Sequence, residues 1–352
     1  MAEQQYIPPE IILEIISHVP PKNPRAILSP TDPTSRTLLS LSLVSKLTRQ
    51  HVKPYIGAHC IYLDSEARLD RFLNIPMAPR PDFHHITALY LAPFTPRLGP
   101  VQNFPTGEWS ESMVDTIDHP PTAKSVRDLL FQLGPHLKRI IVDIPLRSLY
   151  PGDDFSNVRR NLRDGFEFLA SLEELVSVRD ELYLDVNEPT ELFHRDSNLI
   201  EKWKNLKKVA LYNVYPDRGF DSFWSTMAGL LQLDTLVLTR DDGTAELTRD
   251  AKQCLNRRRE KKVKVLRVNA FKGNSQYNFH QLQHPPPPLP LDPDPEGLIS
   301  VMWLPLEYVE PGDGDPHYED EIGFCQNWVR KEALKGELWD HEGEPQELAL
   351  ED

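Results

Sequence analysis

Six short segments repeat one arrangement of apolar positions: an aliphatic residue, two variable residues, an aliphatic, one variable residue, an aliphatic. Five are regular: 86–91 (Ile86, Leu89, Leu91), 137–142 (Leu137, Ile140, Val142), 206–211 (Leu206, Val209, Leu211), 233–238 (Leu233, Leu236, Leu238) and 263–268 (Val263, Leu266, Val268). A looser copy carries Leu172 and Leu175. The first aliphatic of each belongs at the turn into a strand, and the last two fall on one face by the two-residue strand period. Helical spacing fills the intervals. Val126, Leu129, Leu130 and Leu133 predict a helix over 125–134, and Val158, Leu162, Phe166 and Leu169 one over 155–172; 192–203, 220–231 and 247–256 follow the same rule. Ahead of them, 60–64 reads as a strand and 65–73 as a helix capped by Ser65.

Strand, loop, helix, strand is the order throughout, and such a unit buries its apolar face only by stacking on its neighbours. The Leu-x-x-Leu-x-Leu flavour is similar to that of leucine-rich repeats. The starts at 137, 172, 206, 233 and 263 give steps of 35, 34, 27 and 30 residues, mostly longer than the usual range of about 20–29. Asn213 and Asn269 stand near the asparagine position of that repeat. The expected fold class is therefore α/β: a helical head followed by an irregular leucine-rich-repeat-like solenoid with parallel strands, covering helices and an extended curved face. A nonrepetitive α/β domain with a parallel sheet is the other arrangement this pattern permits.

The head occupies residues 1–56. Pro8, Pro9 and Glu10 open a helix predicted over 9–18, with Ile12, Ile15, Ile16 and Val19 on one stripe and Ile11 and Leu13 beside it. Residues 37–46 crowd Leu38, Leu39, Leu41, Leu43 and Val44 onto a second helix, and a third is expected to stop at Pro54. Three short helices can bury one such stripe among themselves but not both sides.

Together these residues resemble an F-box. The family's Leu-Pro-x-Glu-Ile-Leu helix becomes Ile7-Pro8-Pro9-Glu10-Ile11-Ile12, and its Leu-x-x-Leu-x-x-Val-Ser-Lys helix becomes Leu38 through Lys46. Ile7 stands where the family usually has leucine, a proline-rich stretch over 20–35 lengthens the first connection, and Leu47-Thr48-Arg49 lacks the family's frequent tryptophan. The resemblance implies a non-catalytic substrate-receptor subunit of a Skp-cullin-F-box (SCF) ubiquitin ligase. Its head would bind a Skp-family adaptor, and through it a cullin, while its body binds a protein substrate. Carried over by position, the adaptor surface is expected at or beside Pro8, Pro9, Ile11, Ile12, Ile15, Ile16, Leu41, Val44 and Ser45. A repeat scaffold that binds proteins without ubiquitylation is the alternative.

Three further divisions follow: a body over 57–284, a proline-rich linker over 285–296, and a C-terminal segment over 297–352. Residues 93–121 read as a long loop rich in proline, 297–306 as a last strand, and 322–335 as a helix whose neighbouring tryptophans suggest docking on the body. The acidic end reads as partly disordered.

Composition narrows the function. The 39 basic against 53 acidic residues give a formal charge of −14, which argues against nucleic acid or anionic membrane as partner. Three distant cysteines, Cys60, Cys254 and Cys325, form no metal-binding spacing and fit a reducing compartment, cytoplasmic or nuclear. No phosphate loop, dinucleotide fingerprint, nucleophile elbow or His-Glu-x-x-His is present. Neither cofactor nor metal is expected. The basic run at 257–264 reads as a solvated helix end.

Overall fold

A computed structural model describes residues 8–74, 83–94, 97–102, 109–114, 116–184, 199–214, 220–240, 252–256, 261–272, 294, 296–308 and 320–345. Three helices come first: α1 (Pro9–Ser17), α2 (Pro33–Val44) and α3 (Lys46–His59). Pro9 and Pro33 each take the first helical position, where the missing N–H costs nothing. Helix α2 thus starts inside the stretch read as a connection, with Asp32 capping it by accepting from the Thr34 N–H at 2.7 Å. Helix α3 does not stop at Pro54 but continues to His59. A proline there denies the Gln50 carbonyl its partner. Burial of Val52 and packing of Tyr55 and Ile56 on the head's core outweigh that loss.

Next come β1 (Tyr62–Leu63), α4 (Glu66–Leu73) and β2 (Ala88–Leu91), then β3 (Arg97–Gln102) and β4 (Trp109–Val114). The succeeding elements are α5 (Pro120–Leu133), β5 (Arg139–Val142), α6 (Val158–Glu167), β6 (Glu174–Ser177) and β7 (Lys208–Tyr212). The described chain closes with α7 (Phe220–Gly229), β8 (Thr235–Thr239), β9 (Val263–Lys272), β10 (Ile299–Tyr308), α8 (Glu321–Lys335) and β11 (Glu344–Pro345).

Strands β1, β2 and β5 through β11 form one nine-stranded sheet in chain order. Every neighbouring pair is parallel except β10 and β11. Parallel neighbours need a crossover between them, and the intervening helices supply several. The fold is α/β with an open, mostly parallel sheet.

Both faces of the sheet are buried, by alternate residues. Leu89, Leu91, Ile140, Val142, Leu175, Val209, Leu211, Leu236 and Leu238 join the large core under α5, α6 and α7, together with Leu137, Leu172, Leu206 and Leu233 at the turns into their strands. Ala88, Tyr90, Ile141, Val176, Ala210 and Val237 face the other way. That second face is covered: Val329 and Ala333 of α8, with Leu338 and Trp339 after it, lie against it.

The sixth apolar segment departs from the expected phase. Leu236 pairs with Val265 rather than Leu266, so Val263 and Val265 face the large core while Leu266 and Val268 turn towards α8. A one-residue slip flips every side chain, and this strand carries apolar residues for either phase.

Three other expectations change. Residues 97–114, read as loop, contain the β3–β4 antiparallel pair; in a two-stranded sheet both strands are edges, where Pro100 is tolerated. Pro120 and Pro121 do not end that loop but begin α5. Of the helix expected over 192–203, residues 199–202 form a 3-10 turn and 192–198 lie outside the described residues. The proline run at 285–290, the arginines at 257–259 and the acidic end at 346–352 also lie outside them. Ser65 takes the cap position of α4 without a side-chain bond. Among the described residues no helix is long and apolar enough to cross a membrane.

Candidate partner-binding site

The head sorts its aliphatic residues into two sets. Ile16, Leu38 and Val52, one from each helix, form its core at 0–1% exposure, with Ile12, Leu13, Val19, Leu41 and Ile56 packed against them. The second set points outward: Ile11 and Ile15 on α1, Leu39, Leu43 and Val44 on α2, and Leu47 on the first turn of α3. Leu43 is 76% exposed and Val44 70%. Six of the twelve exposed large apolar side chains among the described residues thus fall within residues 11–47. Ile11 and Ile15 lie one turn apart, as do Leu39 and Leu43, so each helix offers a row. Exposed apolar rows of this kind mark interaction surfaces.

The corner between α2 and α3 is fixed by hydrogen bonds. Ser45 adopts extended backbone, ends α2 and caps α3. Its hydroxyl accepts from the Thr48 N–H at 3.1 Å, and the Thr48 hydroxyl accepts from the Ser45 N–H at 3.0 Å. This reciprocal box holds Val44 and Leu47 on either side of a sharp bend.

Of the nine residues carried over from the F-box resemblance, Pro8, Ile11, Ile15, Val44 and Ser45 are exposed and Pro9 is half-buried. Ile16 lies in the head's core, and Ile12 and Leu41 pack against it. Leu39, Leu43 and Leu47 were missed. The spacing of four between Leu39 and Leu43 was visible in the sequence as a helical row, whereas Leu47 lies beyond the Ser45 bend on the next helix.

Two buried carboxylates elsewhere have the perturbed ionisation often seen at functional sites, but every arm of each is taken by protein. Asp143, just past β5, accepts from the Tyr90 hydroxyl at 2.7 Å, from Arg179 Nε at 2.7 Å and from Arg330 of α8. Burial alone would raise its pKa; hydrogen bonding and charge from Arg330, then Arg179, outweigh burial and hold it below the usual value. Asp180 lies 1% exposed after β6 and accepts from the backbone N–H groups of Leu146, Leu182 and Tyr183. Burial, then the charge of Glu181, overcomes those donors and pushes its pKa up to about 6. Leu182 there adopts a left-handed φ of 61°. Arg159, fully buried, donates to the carbonyls of Leu146, Leu149 and Tyr183 and completes the fastening of the two loops.

Asp180 carries a testable pH dependence. Its folded pKa lies above the unfolded value of about 3.9, so the folded state takes up a proton first and this group adds stability as pH falls from about 7 towards 4. Asp180→Asn removes that response. The unfolding free energy of the native chain, minus that of the variant, is expected to increase by on the order of 2 kcal/mol across this window in urea titrations.

Among the described residues no group of three or more His, Cys, Asp or Glu side chains is placed to hold a metal ion. A cavity of about 20 Å³ between Arg25, Arg139, Glu174 and Trp339 has room for about one water. The molecule thus defines itself as an α/β protein with an open, mostly parallel sheet and outward aliphatic rows on its N-terminal helices. No family model matches the chain, and no curated protein matches it.

Proposed function

We propose that this chain is the substrate-receptor subunit of an SCF-type ubiquitin ligase, with its first three helices serving as an F-box and its body as a degenerate leucine-rich-repeat solenoid. The exposed rows of Ile11, Ile15, Leu39, Leu43, Val44 and Leu47 carry this reading. They lie within the stretch that resembles the adaptor-binding module, and the head's own core does not use them. The solenoid reading draws support from strands that follow one another in chain order, with β5 through β8 each preceded by a buried leucine two residues before the strand begins. In this role the chain performs no bond chemistry. It holds a substrate near a ubiquitin-loaded enzyme and raises the effective concentration of the reacting groups.

The test is co-expression of the full chain with its host's Skp adaptor, followed by size-exclusion chromatography of the purified mixture. A single co-eluting complex that also takes up the cullin is expected. A chain that elutes alone, folded by circular dichroism, would transfer the reading to a scaffold without ubiquitylation.

A further inference from the structure

The connection between α1 and α2 does not lie free on the surface. Ile27 is 4% exposed and joins the apolar cluster formed by the second sheet face with Val329, Ala333, Leu338 and Trp339. Its N–H donates to the Leu334 carbonyl at 2.8 Å, and Asn23 Nδ2 donates to the Lys335 carbonyl at 2.9 Å. Gly336 ends α8 at a left-handed φ of 76°, and a Cβ there would lie 2.6 Å from Arg25 Cβ, so the turn presses directly on the connection. Arg25 reaches on to Glu174 of β6 at 3.2 Å and to Asp340 at 3.7 Å.

The same C-terminal segment is fastened to the sheet by different groups. Arg330 pairs with Asp143, and Lys264 Nζ donates to the carbonyls of Trp339 at 3.2 Å and His341 at 2.6 Å. Residues 23–28 are thus held between α8 with its turn and the last residue of α3: the Leu28 N–H donates to the His59 carbonyl at 2.6 Å, and His59 Nδ1 donates to the Ala26 carbonyl at 2.7 Å. The head's own core, Ile16 with Leu38 and Val52, contains no residue of that segment. The end of α3 is fixed on the body by bonds of its own, the Thr87 N–H donating to the Gly57 carbonyl at 3.1 Å and Arg139 Nη2 donating to the Ala58 carbonyl at 3.0 Å.

We infer that α8 and the turn after it form a latch. Docking of this segment on the sheet and ordering of the α1–α2 connection are one cooperative event, distinct from folding of the three-helix core. Opening the latch uncovers the sheet face lined by Tyr90, Ile141, Val176, Val237 and Leu266 and loosens residues 23–28 together. Coupling of this kind is reciprocal: weakening either partner must loosen the other. The inference stands on these contacts and does not depend on adaptor binding.

Hydrogen exchange on the full chain, read by mass spectrometry, tests it. Trp339→Ala, which removes a side chain from the apolar cluster that Ile27 joins and keeps the carbonyl that Lys264 holds, is expected to speed exchange of amides 25–28 by on the order of tenfold or more. Peptides over 9–17 and 38–52 should keep their native rates. Ile27→Ala, a milder variant that keeps α8 intact, should speed exchange within 325–339. Acceleration confined to the mutated segment in either variant, no change at all, or equal acceleration throughout the head overturns the latch.

Discussion

Replacing Ile15 and Leu43 together with aspartate is expected to abolish co-elution with the Skp adaptor while leaving the chain folded. Both side chains are more than half exposed in the free protein, Ile15 at 59% and Leu43 at 76%, so a charge at either position meets water and costs the fold little. In an apolar interface the same carboxylates would be desolvated without a partner. Loss of at least about 3 kcal/mol, a hundredfold or more in affinity, is the expected result by calorimetric titration. The contrasting pair is Ile16→Asp and Leu38→Asp. These place the charge in the head's core and should unfold the three helices, seen as lost helical ellipticity. If the exposed pair binds the adaptor with native affinity, the outward rows are not its docking surface.

The second large effect is on stability. Asp143→Ala removes the common acceptor of Tyr90, Arg179 and Arg330 and leaves two guanidinium groups without it. Breaking a fully buried ion pair costs about 3–5 kcal/mol. Arg179 and Arg330 retain 27% and 23% side-chain exposure, and water there lowers the expected loss to roughly 2–4 kcal/mol. The sign with pH is opposite to that of Asp180. The folded pKa of Asp143 is depressed, so its contribution is complete above the unfolded value of about 3.9 and fades as pH falls below it. Urea melts should therefore show a wide gap between native chain and variant at pH 7, closing in the acid range. A gap that stays constant with pH would mean that the charge of Asp143 contributes nothing.

The repeated apolar segments made most of the sheet legible, because the aliphatic residue before β2 and β5 through β8 and the alternate aliphatics within them serve one core and leave a single workable phase. Strand β9 escaped this logic, since Val263, Val265, Leu266 and Val268 supply both phases and only its neighbours decide. The outward rows were half legible. Ile11 with Ile12 and Ile15 with Ile16 put aliphatics on both sides of α1, and which side turns inward depends on where α3 crosses it. The covering of the second sheet face was legible only in part, since the tryptophans around 322–335 suggest docking on the body but not the face that it takes. Arg330 meets Asp143 across 187 positions of sequence, and nothing local in either segment announces the other. The β3–β4 pair hid behind its prolines, which signal a loop except at an edge.

The most direct test of the adaptor-binding account is a hydrogen-exchange footprint of the full chain with and without the Skp adaptor. Binding through the outward rows predicts slowed exchange over 9–17 and 38–48, with the strands of the body unchanged. Protection confined to the body, with the head exchanging at its free rate, would contradict it.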